Sequence, residues 1–142
     1  MTVKEYLEQA RKLNIRIDYL SREIQNLKLL SYSLNVSSPD QDRVMSSRSD
    51  DSGFARILSK IDDKEKQLHE EIDRLFALKD QIHRVLTQLK DPESEVILLY
   101  FYLEGLNCVQ IGDLLHMHRT NVRRKRDLAL ERIVLPDDII QI

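Results

Sequence analysis

The chain of 142 residues carries 24 acidic and 22 basic side chains, a formal net charge of −2, and only 3 glycines and 3 prolines, which favours helices over a turn-rich β fold. Its single cysteine, Cys108, excludes an intrachain disulfide and fits a reducing compartment, and no apolar run approaches the roughly 18 residues that span a bilayer. The N-terminal MTVKEYLEQARK has no uninterrupted apolar stretch and is not a secretory signal, so we expect a cytoplasmic protein with no membrane partner.

The first element is a predicted long helix with a heptad pattern. Thr2 and Glu5 match a capping box, so we expect the helix to begin at once. Apolar residues then recur at spacings that alternate between three and four, which is the a/d pattern of a coiled-coil seam. These residues are Val3, Tyr6, Ala10, Leu13, Ile17, Leu20, Ile24 and Leu27.

A serine-rich segment, residues 31–53, follows the first helix. Eight of its 23 residues are serine, it contains Pro39, and it lacks helical periodicity. A connection of this length is unusual in a compact domain. It is either a mobile loop or a loop that binds a partner through its apolar residues, which are Leu34, Val36, Val44 and Met45.

A second predicted helix keeps heptad spacing up to residue 90. Its seam contains Phe54, Leu58, Ile61, Leu68, Ile72, Leu75, Ile82, Leu86 and Leu89. Two long helices joined by a loop predict an antiparallel hairpin over residues 1–90. Four further apolar residues widen this stripe and predict that something else covers it, either the C-terminal module or a second copy; these are Ile57, Phe76, Leu78 and Val85.

A module of three short helices is predicted over residues 91–135. Asp91 and Pro92 are typical of a helix start, and we expect this helix to reach about Leu103, with Gly105 as a left-handed stop. Asn107 and Gln110 form a second capping box for a helix over about residues 108–115. The turn at residues 116–118 leads to a third helix that begins at Arg119. The fold class is therefore all-α: a long hairpin, a helix-turn-helix module and a short tail at residues 136–142.

The third helix of the module begins with a concentration of positive charge. Five Lys and Arg residues fall within residues 119–126. Arg forms bidentate bonds with guanine, Asn pairs with adenine, and Thr meets bases or phosphates, so these residue types predict a helix that enters the major groove of double-stranded DNA. The candidate DNA-binding residues are Arg119, Thr120, Asn121, Arg123, Arg124, Lys125, Arg126 and Asn107.

The segment VILLYFYLEGLNCVQIGDLLHMHRTNVRRKRDLALERI resembles the region-four module of bacterial sigma factors, which reads the −35 promoter element. With the hairpin and serine-rich segment, the layout is similar to a family of small phage and prophage proteins with a sigma-like C-terminus. The resemblance implies a phage-encoded transcriptional regulator in the bacterial host cytoplasm, with RNA polymerase as a possible partner. Residues upstream of Leu89 do not resemble the polymerase-binding domains of a complete sigma factor.

Three positions depart from the sigma pattern. His116 stands where such turns commonly hold glycine, His118 replaces the small hydroxyl cap, and Arg126 occupies a position that is commonly apolar. We expect the aliphatic stem of Arg126 to cover the core with its head in water. Because of these departures, the promoter sequence of sigma factors is not carried over to this chain.

Other functions receive less support from the sequence. We see no nucleophile–base set, no glycine-rich phosphate loop and no zinc-ligand spacing, so we expect neither an enzyme nor a metal or cofactor. The alternatives to a DNA-binding regulator are an adaptor that binds RNA polymerase or another regulator through the hairpin, and a small terminase-type DNA-recognition subunit. Since one helix-turn-helix makes few contacts, we also expect a homodimer or higher homo-oligomer.

Overall fold

The computed structural model of the protein describes the backbone of residues 1–36 and 47–142, and the side chains outside residues 35–52. Within these ranges the chain is all-α, as predicted, and contains no strand. The helices are α1 (Val3–Val36), α2 (Ser47–Leu86), α3 (Pro92–Leu98), α4 (Cys108–Leu115) and α5 (Arg119–Arg132). A 3₁₀ turn at Thr87–Leu89 follows α2, and a π-helical segment at Leu99–Leu103 follows α3. In the described ranges, none of the helices has the length and apolar character that crossing a membrane requires.

The chain divides into two compact units. The first contains Met1–Ile15 together with Arg74–Ile142, and the second contains Arg16–Asp73. The sequence predicted boundaries at residues 90 and 135, each of which lies shortly after the end of a helix. The compact units instead group the start of α1 and the end of α2 with the C-terminal module.

In the second unit, α1 and α2 run antiparallel. Arg16 pairs with Glu71 (Nη2 to Oε1, 2.7 Å), and Glu23 pairs with Lys64 (Oε1 to Nζ, 2.9 Å), so residue numbers rise along α1 as they fall along α2. Inside this unit the seam residues Leu20, Ile24 and Ile61 are buried. The predicted hairpin arrangement is therefore confirmed for this pair of helices.

The heptad pattern of α1 is also confirmed by burial. Its inward residues are buried at Tyr6, Ala10, Leu13, Leu20 and Ile24, and half-buried at Val3, Ile17 and Leu27. Leu7 and Gln9, which lie outside the predicted a/d positions, are buried as well.

The prediction for α2 is confirmed at most positions and wrong at two. The seam is buried or half-buried except at Leu58, which is 46% exposed. Among the residues that widen the stripe, Leu78 and Val85 are buried, whereas Phe76 is 62% exposed. Periodicity identified the inward face, but it did not show how far along the helix a neighbour covers that face.

The predicted bounds of the serine-rich loop are wrong at both ends. Residues 31–36 belong to α1 and residues 47–53 belong to α2, so both edges of the predicted loop are helical. Extending an existing helix costs far less than starting one, which explains how serine-rich flanks remain in a helix. Leu34 is exposed on α1. The remainder of the predicted loop, which contains Val44 and Met45, lies outside the described residues.

The segment after α5, residues 133–142, which we call the C-terminal tail, is held by three glutamine side chains, on α1, on α2 and on the 3₁₀ turn that follows α2. Each side-chain amide both donates to and accepts from the tail backbone, as a neighbouring β-strand would. Gln88 forms hydrogen bonds with the carbonyl and the amide of Val134, both at 3.0 Å. Gln81 does the same with the Asp138 carbonyl and the Ile140 amide, both at 2.9 Å. Gln9 forms hydrogen bonds with the Ile140 carbonyl (3.0 Å) and the Ile142 amide (2.8 Å).

Gln81 also joins the tail to the first residues of α1. The Tyr6 hydroxyl donates to Gln81 Oε1 at 2.7 Å, and both side chains are buried. Burial raises the pKa of Tyr6 to about 12; the nearby charge of Asp138 also raises this pKa, whereas that of Arg84 opposes the shift. One side chain therefore satisfies polar groups on α1 and on the tail at once.

We expect Gln81→Ala to lower the free energy of unfolding by about 2–4 kcal/mol, because three hydrogen-bonding partners lose their bond inside the protein. The matched control is Gln67→Ala on the exposed surface of α2, for which we expect a change within about 0.5 kcal/mol. Urea unfolding followed by circular dichroism measures both. Equal stability of the two variants would contradict the role of the glutamine.

The raised pKa of Tyr6 predicts that the folded protein loses stability at alkaline pH. Its pKa is about 12 in the folded protein against 10.0 ordinarily, so its protonated form favours folding fully below pH 10 and this contribution disappears as the pH rises to 12. Tyr6→Phe cannot ionise and lacks this loss. The difference in unfolding free energy between wild type and Tyr6→Phe should therefore shrink from pH 9 to pH 12. A difference that stays constant over this range would show that Tyr6 does not titrate with folding.

Candidate nucleic-acid interface

Helix α3 begins at the cap that the sequence predicted. Asp91 has an extended backbone, and its carboxylate accepts from the Glu93 amide (3.3 Å) and the Ser94 hydroxyl (2.7 Å). The hydrogen bond from Ser94 is the main reason that the pKa of Asp91 is lowered. Pro92 occupies the first turn, where its missing N–H costs nothing.

The helix was predicted to run to about Leu103, but it changes type after Leu98. Residues Leu99–Leu103 form a π-helical turn in which the Glu104 amide donates to the Leu99 carbonyl at 3.2 Å. Tyr102 is buried within this turn, and burial raises the pKa of its hydroxyl. Gly105 then takes a φ of 70°, which confirms the predicted left-handed stop.

Helix α4 begins at the predicted capping box. Asn107 Oδ1 accepts from the Gln110 amide at 2.8 Å, and Gln110 Oε1 accepts from the Asn107 amide at 2.9 Å. The helix ends at Leu115, and His116 follows with a φ of 57°. A histidine therefore occupies the left-handed position that glycine would fill at lower cost.

Gly112 allows the turn to fold back on α4. The Met117 amide donates to the Gly112 carbonyl at 2.9 Å. A Cβ atom at Gly112 would collide with the carbonyl oxygen of Met117. The backbone that comes nearest to this position is therefore that of the turn between α4 and α5.

Helix α5 begins directly after this turn. His118 caps it, because its Nδ1 accepts from the Thr120 amide at 3.2 Å in place of the usual hydroxyl. Val122 and Ala129 of α5 are buried, as is Ile133 just beyond its end. Val122 belongs to one core with Ile97, Cys108 and Ile111, so α3 and α4 together hold α5 in place.

Five of the candidate DNA-binding residues are exposed on the first two turns of α5. They are Arg119, Thr120, Asn121, Arg123 and Arg124. At about 1.5 Å of rise per residue they span roughly 8 Å of the helix axis. Further along the same helix, exposed Asp127 and Glu131 reverse the sign of the charge. The positive charge of α5 is thus concentrated at its N-terminal end, and the remaining arginine, Arg132 in the last turn, donates to the Leu89 carbonyl at 2.8 Å.

The other two basic candidates on α5 are partly turned towards the module. Lys125 forms an ion pair with Glu93 at the start of α3. Arg126 lies with its guanidinium 4.7 Å from the centre of the Phe101 ring, and its Nη2 is 3.0 Å from Asp127. The side chain of Arg126 is only 19% exposed, so its head as well as its stem covers the core. The eighth candidate, Asn107, is exposed but uses its side-chain oxygen in the cap of α4.

The Phe101 ring contacts a second cationic side chain, which was not predicted from the sequence. The guanidinium of Arg11 on α1 lies 4.6 Å from the centre of the same ring. Nearby, Asn14 donates to the Leu103 carbonyl at 2.8 Å. Neither contact has a signal in the local sequence, because both join residues about ninety positions apart.

Comparisons of the chain with protein-family models, with curated proteins and with solved structures found no match. The resemblance to the sigma region-four module therefore stays a prediction. Among the described residues, no group of three or more His, Cys, Asp or Glu side chains is placed to hold a metal ion.

We expect Gly112→Ala to destabilise the protein by about 1–3 kcal/mol, because the new methyl group forces the turn away from α4. Gly53→Ala is the matched control: it lies in α2 with nothing within 4 Å of the added atom, and alanine should stabilise the helix by up to about 1 kcal/mol. Thermal unfolding should thus shift in opposite directions for the two variants. A shift of the same sign and size in both would show that the turn does not constrain Gly112.

Proposed function

We propose that the protein is a sequence-specific DNA-binding regulator of transcription that inserts the N-terminal end of α5 into the major groove. The observation that carries the proposal is the exposed cluster of Arg119, Arg123 and Arg124 at the start of a helix held by a buried core. An α-helix of about 10–12 Å diameter fits a major groove about 12 Å wide. In a helix-turn-helix, this end of the second helix is the part that reaches the bases.

The exposed residues divide by the contacts they favour. Arg123 and Arg124 suit guanine edges, Asn121 suits adenine, and Thr120 and Arg119 suit bases or phosphates. Asp127 and Glu131 would be repelled by phosphates, so α5 should approach the duplex by its first two turns. Lys125 and Arg126 would have to leave Glu93 and Phe101 to reach DNA, and we assign them to holding α5 on the module.

The resemblance to sigma region four supports the same function and also suggests where the protein acts. It suggests a phage-encoded regulator acting in the cytoplasm of a bacterial host, on a promoter or beside RNA polymerase. Non-specific binding by one such module is typically only about 10⁻⁴–10⁻⁶ M at physiological salt. We therefore propose that it acts as a homodimer or higher homo-oligomer, or together with polymerase.

An adaptor is the second candidate function, because apolar side chains are exposed beside the proposed DNA-binding helix. Val109 and Leu114 on α4 are 48% and 54% exposed. Such residues suit a protein partner, for example a subunit of RNA polymerase. An adaptor that binds a partner through either of these residues or through the hairpin needs no direct DNA contact, so the two functions differ in their dependence on α5.

The test is DNA binding by the double variant Arg123→Ala, Arg124→Ala. The wild-type chain first selects a duplex from a randomised pool. The double variant should bind this duplex at least about 30-fold more weakly than the wild type, since each arginine contact is worth about 1–3 kcal/mol. The slope of log affinity against log salt should change little, because both arginines are assigned to guanine edges and not to phosphates. Fluorescence anisotropy over a salt series measures both.

The matched control is Lys60→Ala, Lys66→Ala, which removes the same charge from the exposed surface of α2. It should bind the duplex like the wild type. Circular dichroism should be unchanged in both variants, because the four side chains are exposed. Unchanged affinity in the Arg123, Arg124 variant would rule out this helix face, and a wild-type chain that enriches no duplex at low salt would favour the adaptor.

A further inference from the structure

One face of α1 in the unit Arg16–Asp73 carries large apolar side chains in contact with solvent. Tyr19 is 64% exposed, Leu29 is 66% exposed and Leu30 is 49% exposed. Arg22 and Asn26 lie between them and are also exposed. We call Tyr19, Arg22, Asn26, Leu29 and Leu30 the outer face of α1. It lies opposite Leu20 and Ile24, which are buried in the same unit.

The other helix of this unit, α2, exposes mainly polar side chains to solvent. Between residues 59 and 73, the exposed residues of α2 are all polar: Ser59, Lys60, Asp62, Asp63, Lys66, Gln67, His69, Glu70 and Asp73. Leu58, just before this range, is 46% exposed, so the contrast between the two helices holds for residues 59–73 of α2. A helix that is apolar on two opposite sides is typical of the interior of a bundle.

The outer face also has the spacing of a second coiled-coil seam. Tyr19, Arg22, Asn26 and Leu29 are separated by three, four and three residues, which places them in one stripe along the helix. The first seam of α1 is already filled inside the chain. A second seam on the same helix therefore needs a partner helix with a matching order of apolar and polar residues.

We propose that the outer face of α1 pairs with the same face of a second copy of this chain, antiparallel about a two-fold axis near Ile24. In this register Tyr19 of one copy meets Leu29 of the other, and Arg22 meets Asn26. A two-fold interface brings the same patch together from both sides, so residue i of one copy meets residue j of the other, and j meets i. In the stripe Tyr19, Arg22, Asn26 and Leu29 this pairs apolar residues at the ends and hydrogen-bonding residues at the centre, while Leu30 lies at the edge of the interface, near Asp18 of the second copy.

Charge is compatible with this pairing. Asp18 lies 3.2 Å from Arg22 Nε on the same helix and balances its charge. In the antiparallel register the two Arg22 side chains face Asn26 side chains, whose carbonyl oxygens accept from guanidinium groups. A parallel pair would instead bring Arg22 against Arg22. The antiparallel arrangement is therefore the one that the charges favour.

The pairing does not depend on DNA binding, because its residues belong to the hairpin and not to the module. Its test is the oligomeric state of the full chain by sedimentation velocity from 1 to 100 μM. We expect a monomer–dimer equilibrium in the wild type. Tyr19→Glu with Leu29→Glu should weaken it at least about 100-fold, since each change acts twice in a two-fold dimer.

The matched control is Ser59→Glu with Gln67→Glu, which adds the same charge to the exposed surface of α2. It should dimerise like the wild type. Circular dichroism should show both variants folded, since all four positions are exposed. If the double glutamate change on α1 unfolds the chain, Leu29→Gln alone repeats the measurement with a milder change.

The register has its own test with single cysteine variants and mild oxidation, because a disulfide joins only cysteines whose Cβ atoms lie about 3.5–4.5 Å apart. A mixture of the Arg22→Cys and Asn26→Cys chains should form cross-linked dimers, whereas each variant alone should form few. The wild-type chain, whose Cys108 is buried, is the blank. A wild-type monomer at 100 μM, a dimer that survives the α1 substitutions, or cross-linking of each variant with itself would overturn the proposal.

Discussion

The burial of Val122 is the constraint on which the proposed interface depends. Val122 belongs to a core that joins α5 to α3 and α4, and no part of its side chain is exposed. Because an α-helix turns about 100° per residue, burying Val122 and Ala129 decides which residues of α5 face outward. Thr120 and Arg124 lie almost opposite Val122, with Arg123 and Asn121 on the flanks. The surface offered to a partner therefore follows from the packing of the module.

The parts of the fold that were predicted correctly have local causes. The capping boxes of Thr2 with Glu5 and of Asn107 with Gln110 join residues three positions apart, and the positive φ of His116 follows from the end of α4. The heptad positions of α1 are similarly local, since spacing alone determines which side chains share a face. Such features depend on a few neighbouring residues, and their chemistry is visible in the sequence.

The parts that were missed join residues far apart in the chain. The clamp of the tail by Gln9, Gln81 and Gln88 needs an extended segment at a particular distance from two helices, and glutamine on a helix surface usually has no such role. The positions of Arg11 and Arg126 around Phe101 could not be predicted either, because a cation on a helix normally projects into water. The edges of the serine-rich segment were placed wrongly because helix propagation outweighs weak propensity there.

The use of charge explains why pairing matters for the proposed function. Of the five basic residues at the start of α5, Lys125 and Arg126 are engaged with Glu93 and Phe101, which leaves three arginines to meet a duplex. The whole chain has a net charge of −2, so long-range attraction to DNA is weak and each arginine must act at short range. A second module doubles the number of contacts. Because the two modules are joined, the second one binds DNA without a further large loss of translational and rotational entropy. An outer face of α1 that joins two copies thus supplies what a single weakly charged module lacks.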